Sequence, residues 1–125
     1  MTQQIRILVV DDDSSVLLGL CDYLEDEGYD TVATDSAEKA LAHLAKHHFH
    51  IVIVDIRLPG MDGNDFVMNA SKISTGMAFI IHTGSTEYFL PEQLKKLGIR
   101  NEDVFNKPLD DLDVIGRAIK RKIGG

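Results

Sequence analysis

The chain has 125 residues, of which 44% are hydrophobic and 26% are charged, and its formal net charge at pH 7 is −7. This composition is typical of one globular domain, and the acidic balance argues against direct binding to nucleic acid or to an anionic membrane surface. No apolar run approaches the roughly 18 residues that a membrane span needs, and a single cysteine cannot form an internal disulfide. We therefore expect a cytoplasmic domain, because the cytoplasm keeps thiols reduced.

Five short segments with the signals of β-strands recur along the chain. Several are continuous apolar runs rich in valine and isoleucine, which is typical of strands buried on both faces. The predicted strands are residues 5–10, 30–34, 51–54, 77–83 and 102–107.

The segments that follow the strands repeat apolar residues at helical spacing, which predicts a helix after each strand. Gly28 is predicted to end the first helix, and Ser36 stands where the N-cap of the second helix belongs. Pro91 suits the first turn of the fourth helix, since a proline there loses no helical hydrogen bond. The last helix is predicted to be capped near Asp110.

Strands that alternate with helices indicate an α/β domain whose parallel sheet is covered by helices on both faces. For five strands in about 125 residues we predict the flavodoxin-like, doubly wound strand order 2-1-3-4-5. In that order the winding changes direction between strands 1 and 3. Ligands of such folds bind at that point, just past the carboxyl ends of the strands.

Polar and charged side chains follow four of the predicted strands. Residues 11–13 are all aspartate, Asp55 follows strand 3, Thr83 ends strand 4 and Lys107 ends strand 5. Carboxylates brought together in this way repel one another unless a cation intervenes, and an all-oxygen site suits Mg²⁺. A lysine and a hydroxyl beside such a cation favour the binding of a phosphoryl group.

Four motifs in this order resemble the receiver domain of two-component response regulators. They are "ILVVDDD", "IVIVDIRLPGMDG", a Thr-Gly after strand 4 and "NKPL" after strand 5. Each motif alone is weak evidence, but the four together are specific, and they extend over nearly the whole chain. The resemblance implies a single receiver domain over residues 1–125, either a stand-alone protein or part of a longer regulator.

The resemblance also implies roles for individual residues at the acidic end of the sheet. Asp55 would accept the phosphoryl group, and Asp11 and Asp12 would hold Mg²⁺. Asp55 and the backbone carbonyl of Arg57 would complete the protein's share of the metal coordination.

On the same basis Thr83 would bind one phosphoryl oxygen and Lys107 would neutralise another, with a cis peptide bond between Lys107 and Pro108. The implied partner is a sensor histidine kinase or a histidine phosphotransfer protein. Such a domain is a signalling switch that catalyses only its own phosphoryl transfer and dephosphorylation. The downstream effector is not specified, and weak homodimer formation is left open.

Two other interpretations fit part of the sequence. In a haloacid-dehalogenase-type phosphatase, Asp11 would be the nucleophile and Asp13 the general acid. The chain lacks the cap insertion of those enzymes and an acidic pair after strand 4 or 5, and that interpretation leaves "DIRLPGMDG" unexplained. A degenerate receiver that binds partners without phosphorylation is disfavoured by the complete set of residues.

One position departs from the receiver pattern. Receivers usually carry an aromatic residue three positions before the strand-5 lysine, but here that position is Val104 and the aromatic residue is Phe105. Neighbouring side chains of a strand point to opposite faces, so Phe105 cannot replace it without a register slip. We therefore predict that movement of Thr83 is relayed mainly through residues 84–88 and the helix that follows them, with Tyr88 as the substitute aromatic residue.

Overall fold

A computed structural model describes residues 4–124 of the chain. Its strands are β1 (Arg6–Val10), β2 (Asp30–Thr34), β3 (Ile51–Val54), β4 (Ala78–Thr83) and β5 (Val104–Asn106). Its α-helices are α1 (Ser14–Asp26), α2 (Ala37–Lys46), α3 (Gly63–Ile73), α4 (Glu92–Lys95) and α5 (Asp113–Gly124). A short 3-10 turn, Asn101–Asp103, precedes β5. Within this part of the chain no helix is long and apolar enough to cross a bilayer.

The five strands form one parallel sheet in the order β2-β1-β3-β4-β5, which confirms the predicted topology. The three central strands are almost completely buried, because helices cover both faces of the sheet. The edge strands β2 and β5 are only partly buried. The position where the winding changes direction therefore lies between β1 and β3.

The alternation of side chains along each strand divides the core between the two faces. Leu8 and Val10 pack with Phe66 of α3 and Leu94 of α4 in one apolar cluster. Ile7 and Val9, the intervening residues of β1, pack on the opposite face with residues of α1 and α5. Both clusters are closed to solvent, so the register of β1 is set on both sides.

Polar caps set where the helices begin. Asp13 accepts hydrogen bonds from the backbone N–H groups of Ser15 and Val16, and Ser36 accepts one from Lys39 as predicted. Gly28 follows the end of α1 with φ of 92°, a left-handed conformation that glycine adopts without a steric penalty. Asp13 and Ser36 lie just after β1 and β2, so these two caps also set where the loops after those strands end.

The structure shortens the predicted fifth strand at both ends. Residues 102 and 103 belong to the 3-10 turn, because the Asp103 carboxylate accepts a hydrogen bond from the backbone N–H of Arg100 at 2.9 Å and pairs with Lys122 at 2.9 Å. Such side-chain bonds offer the backbone an alternative to the sheet. Lys107 lies just beyond the strand.

Two helix starts lie close to their predicted positions. The last helix begins at Asp113 and is capped by Asp111, one residue from the predicted Asp110, because the carboxylate of Asp111 accepts a hydrogen bond from the backbone N–H of Asp113. Pro91 is the residue before α4 and not part of its first turn. The fourth helix itself is only one turn long, so the connection between β4 and β5 is mostly irregular.

Candidate functional site

Three carboxylates meet where β1 and β3 end. Val10 and Val54 are paired across the two strands, so the residues that follow them, Asp11 and Asp55, emerge side by side. Oxygen atoms of Asp11, Asp12 and Asp55 lie within 4.8 Å of one another. Asp11 is only 2% exposed and Asp55 only 6%, whereas Asp12 is exposed to solvent. The structure therefore brings together the three aspartates that the sequence singles out.

Lys107 bridges the two buried carboxylates. Its ammonium group lies 2.7 Å from Oδ2 of Asp11 and 3.0 Å from Oδ2 of Asp55. The backbone N–H of Lys107 donates to the carbonyl of Thr83 at 2.8 Å, which holds the lysine at the end of the sheet. The Lys107-Pro108 peptide bond is cis, as the resemblance implies.

Burial and charge act in opposite directions on these groups. Desolvation raises the pKa of Asp11, and this effect outweighs the hydrogen bond from Lys107 and the one from the backbone of Asp13. Burial alone would lower the pKa of Lys107, but its hydrogen bonds to Asp11 and Asp55 outweigh that effect and raise it. The lysine is therefore firmly protonated and acts as the counterion of the cluster.

Thr83 ends β4 and is completely buried. Its hydroxyl oxygen accepts a hydrogen bond from the backbone N–H of Ser85 at 3.1 Å and makes no hydrogen bond to the carboxylates. The threonine therefore lies at the correct strand end but is engaged by the loop after β4. A hydroxyl that accepts one bond in this way still has its own proton to donate.

The backbone after β3 packs closely around Asp55. The N–H of Arg57 donates to Oδ1 of Asp55 at 3.2 Å, so the main chain of Arg57 runs beside the carboxylate while its side chain is exposed. A Cβ atom on Gly63 would lie 2.5 Å from the carbonyl oxygen of Asp55, so only glycine allows α3 to begin this close. The sequence motif alone does not predict this contact, because it depends on how α3 packs against the end of β3.

The aromatic residue of the loop after β4 is anchored to α3. The Tyr88 hydroxyl donates to Oδ1 of Asn64 at 2.7 Å, and its ring packs against the same apolar cluster as Val104. Phe105 packs against the opposite cluster. The prediction that Val104 and Phe105 point to opposite faces is therefore confirmed.

A buried histidine that belongs to none of the sequence motifs lies beneath the site. His82 immediately precedes Thr83 on β4 and is 5% exposed, and neither of its ring nitrogens has a hydrogen-bond partner within residues 4–124. Desolvation lowers its pKa to about 4, with a further lowering by Lys107 and a smaller opposing effect of Asp55. The feature of the sequence that could have identified this residue is a histidine within an otherwise apolar strand.

Fold and geometry together define a flavodoxin-like α/β domain with an acidic pocket, bridged by a lysine, at the point where the winding changes direction. The chain belongs to the response regulator receiver domain family, whose sequence profile matches residues 7–119. The family comprises the receiver domains of signalling regulators and not classical enzymes.

Relatives of known identity include both short and long proteins. Sporulation initiation phosphotransferase F of Bacillus subtilis is 31% identical over 116 residues, which are 93% of this chain and 91% of that protein. Transcriptional regulatory protein AruR of Pseudomonas aeruginosa is 33% identical over 118 residues, which are 90% of this chain but only 47% of the regulator.

Solved structures agree with the fold. A CheY-like receiver domain from Methanospirillum hungatei is 30% identical with a TM-score of 0.79, covering 96% of this chain and 94% of its own. The response regulator TrrA of Thermotoga maritima, solved in complex with Mg²⁺ and BeF, is 25% identical with a TM-score of 0.81, covering 96% and 100%.

These findings do not favour the phosphatase interpretation. The carboxylate of Asp13, which would be the general acid, accepts the backbone N–H groups of Ser15 and Val16 at the start of α1. It is therefore engaged as a helix cap. Membership of the receiver family likewise favours the phospho-accepting interpretation over both alternatives.

Proposed function

We propose that this domain accepts a phosphoryl group on Asp55 from a phosphohistidine of a sensor histidine kinase or a histidine phosphotransfer protein. The observation that carries the proposal is the cluster of Asp11, Asp12 and Asp55 with Lys107 across it. In the transfer, an oxygen of Asp55 forms a bond to phosphorus while the phosphorus–nitrogen bond of the donor breaks. The electron pair of that bond stays on the donor imidazole.

The residues of the cluster fit Mg²⁺. Three carboxylates within 4.8 Å of one another present only oxygen ligands, which magnesium prefers, and two of them are held by the ends of buried strands. We assign Asp11, Asp12 and Asp55 as side-chain ligands and the carbonyl of Arg57 as a backbone ligand. When bound, the ion would offset the charge of the carboxylates and of the phosphoryl oxygens.

Lys107 and Thr83 hold the phosphoryl group in this proposal. The ammonium of Lys107 already lies 3.0 Å from Oδ2 of Asp55, and it would form an ion pair with a phosphoryl oxygen once Asp55 is phosphorylated. Thr83 would donate its hydroxyl proton to a second oxygen, since that hydroxyl only accepts from Ser85. Catalysis here is positioning and electrostatic stabilisation, as in other phosphoryl transfers.

The proposal extends to a single receiver domain over residues 1–125 in the cytoplasm. The match to a relative named as a phosphotransferase supports a place in a phosphorelay, in which a second protein reads or receives the phosphoryl group. The single cysteine, Cys21, is buried and free, which fits a reducing compartment.

Incubation with acetyl phosphate and Mg²⁺ tests the proposal directly. Intact-protein mass spectrometry should show one phosphoryl adduct, and mapping of the peptides should place it on Asp55. Omission of Mg²⁺ is the control and should reduce the yield strongly. Modification at Asp11 would overturn the proposal in favour of the phosphatase interpretation, and the absence of any adduct would favour a receiver that works without phosphorylation.

Millimolar Mg²⁺ is expected to raise the melting temperature of the protein. Binding to the folded state alone stabilises it, and at ten times the dissociation constant the shift should be about 5 °C. Mg²⁺ binds the ionised carboxylates, and at low pH protons compete with it for the same oxygens. The increase in melting temperature should therefore become smaller as the pH falls. Differential scanning calorimetry measures it, with Asp12→Asn expected to show a smaller shift. An unchanged melting temperature in the wild type contradicts the metal site.

Beryllofluoride is expected to change amide hydrogen exchange mainly in residues 84–97. Val104 is β-branched and short, so it cannot make the large swing of an aromatic side chain, whereas Tyr88 joins the loop after β4 to α3. Exchange measured with and without beryllofluoride tests this relay. Tyr88→Phe keeps the ring but loses the bond to Asn64, so loop exchange without beryllofluoride should accelerate about five-fold. A response in β5 without one in the loop contradicts the relay.

A further inference from the structure

A second cleft lies between α1 and the segment that follows β5. Its volume is about 430 Å³, within the range of small-molecule sites. Most of its wall is apolar, and the residues that matter here are Val16, Leu20, His82, Lys107, Leu109 and Leu112. Lys107 is the only one of these that also belongs to the carboxylate cluster.

His82 is a buried polar residue in this wall, and the phosphorylation site does not explain why it is there. It lies on β4 opposite Phe105, and both ring nitrogens are closed to water and unpartnered within residues 4–124. A buried polar group without a hydrogen bond weakens the fold, so native proteins rarely keep one that has no role. Because the ring is neutral, one nitrogen offers a proton and the other accepts one.

The walls of the cleft allow a ligand to approach this ring. Between β5 and α5 the backbone is irregular, and Leu109 and Leu112 on it are only half-buried, so their side chains can be displaced. On the α1 side the wall includes Gly19, where a Cβ atom would meet nothing within 4 Å. The cleft is therefore open on one wall and covered by movable side chains on the other.

We propose that this cleft binds a small neutral molecule with an apolar body and one hydroxyl group that forms a hydrogen bond with His82. A hydroxyl both donates and accepts, so it matches either tautomer of the ring. The ligand is neutral because the cleft is lined by one acid, Asp13, and one base, Lys107. A buried charge would be paired with one of them and repelled by the other. Its body packs on Leu20, Leu109 and Leu112.

The cleft is separate from the carboxylates, but it shares Lys107 with them. A ligand beside Lys107 alters the surroundings of the group that bridges Asp11 and Asp55. The proposal therefore adds a binding site to the domain and does not depend on which residue accepts the phosphoryl group.

Titration with p-cresol and with toluene, followed by NMR of the backbone amides, tests the site. The two probes share a ring and a methyl group, and only p-cresol has a hydroxyl. We expect saturable shifts of amides in residues 15–20 and 107–112, with p-cresol bound about five-fold more tightly than toluene, the gain typical of one neutral hydrogen bond. Equal affinities, shifts elsewhere, or no saturation up to the solubility limit of p-cresol would each overturn the proposal.

Two variants test separately the hydrogen bond to His82 and the volume that the cleft offers to a ligand. His82→Leu should reduce the affinity for p-cresol about five-fold and leave that for toluene unchanged. Gly19→Leu should abolish binding of both probes by filling the cleft from α1, and a leucine there favours the helix. Ala45→Leu, at an exposed position of α2, is the matched control and should bind like the wild type. Unchanged binding of p-cresol to either cleft variant contradicts the site.

Discussion

Replacement of Asp55 by asparagine is expected to abolish the phosphoryl adduct that forms with acetyl phosphate and Mg²⁺. Asparagine keeps the shape of aspartate, but its amide lacks the anionic oxygen that attacks phosphorus. Asp55 also directly follows a fully buried strand, so no neighbouring residue can take its position without a shift of β3. The yield of adduct, measured by intact-protein mass spectrometry, should fall from one group per chain to background.

The matched control for this experiment is Asp13→Asn. Asp13 belongs to the same acidic run but caps α1, and asparagine is an equally good N-cap. Its adduct should equal that of the wild type. The thermal unfolding of both variants verifies that they fold. An adduct that persists in Asp55→Asn, or one lost in Asp13→Asn, would contradict the assignment of Asp55 as the acceptor.

Acidification is expected to destabilise the protein through His82. Burial lowers the pKa of this histidine from its usual 6.5 to about 4. Between these two pH values the unfolded chain binds a proton that the folded chain does not, so the free energy of unfolding falls as the pH falls. The contribution of the neutral His82 ring to the free energy of unfolding is fully present above pH 6.5 and is lost as the pH falls to 4. Its full size is about 3 kcal/mol.

His82→Leu isolates this contribution. Leucine does not titrate and leaves no unpaired nitrogen in the core, so the variant should be at least as stable as the wild type at pH 7. Its advantage should grow by about 3 kcal/mol between pH 7 and pH 4. The raised pKa of Asp11 acts in the opposite direction but is common to both proteins. Urea unfolding at the two pH values measures the difference, and parallel pH profiles would show that His82 titrates normally.

Much of the fold follows from local patterns in the sequence. Continuous β-branched runs such as residues 51–54 are typical of strands buried on both faces, and their alternation with helices predicts a parallel sheet. The order of the strands then follows from the few topologies that such chains adopt. Since all carboxyl ends of a parallel sheet lie at one edge, the convergence of Asp11, Asp55 and Lys107 could also be predicted.

The start of β5 could not be predicted in the same way. The sequence pattern extends strand 5 over residues 102–107, but Asp103 bonds to Arg100 nearby and to Lys122, which lies far along the chain. Local propensity carries no information about a partner on another helix. The boundary therefore depends on how α5 packs beside β5.

By itself, the sequence determined the class of the fold, its topology and the residues at the acidic edge of the sheet, because periodicity and strand ends are local properties. Only the tertiary structure decided what surrounds each side chain. It placed His82 beneath Thr83 without a hydrogen-bond partner within the described residues. It also joined Tyr88 to Asn64 and aligned α1 with the segment after β5 to form a cleft. Burial and hydrogen bonding depend on elements distant in the chain, and these contacts exist only once the helices pack on the sheet.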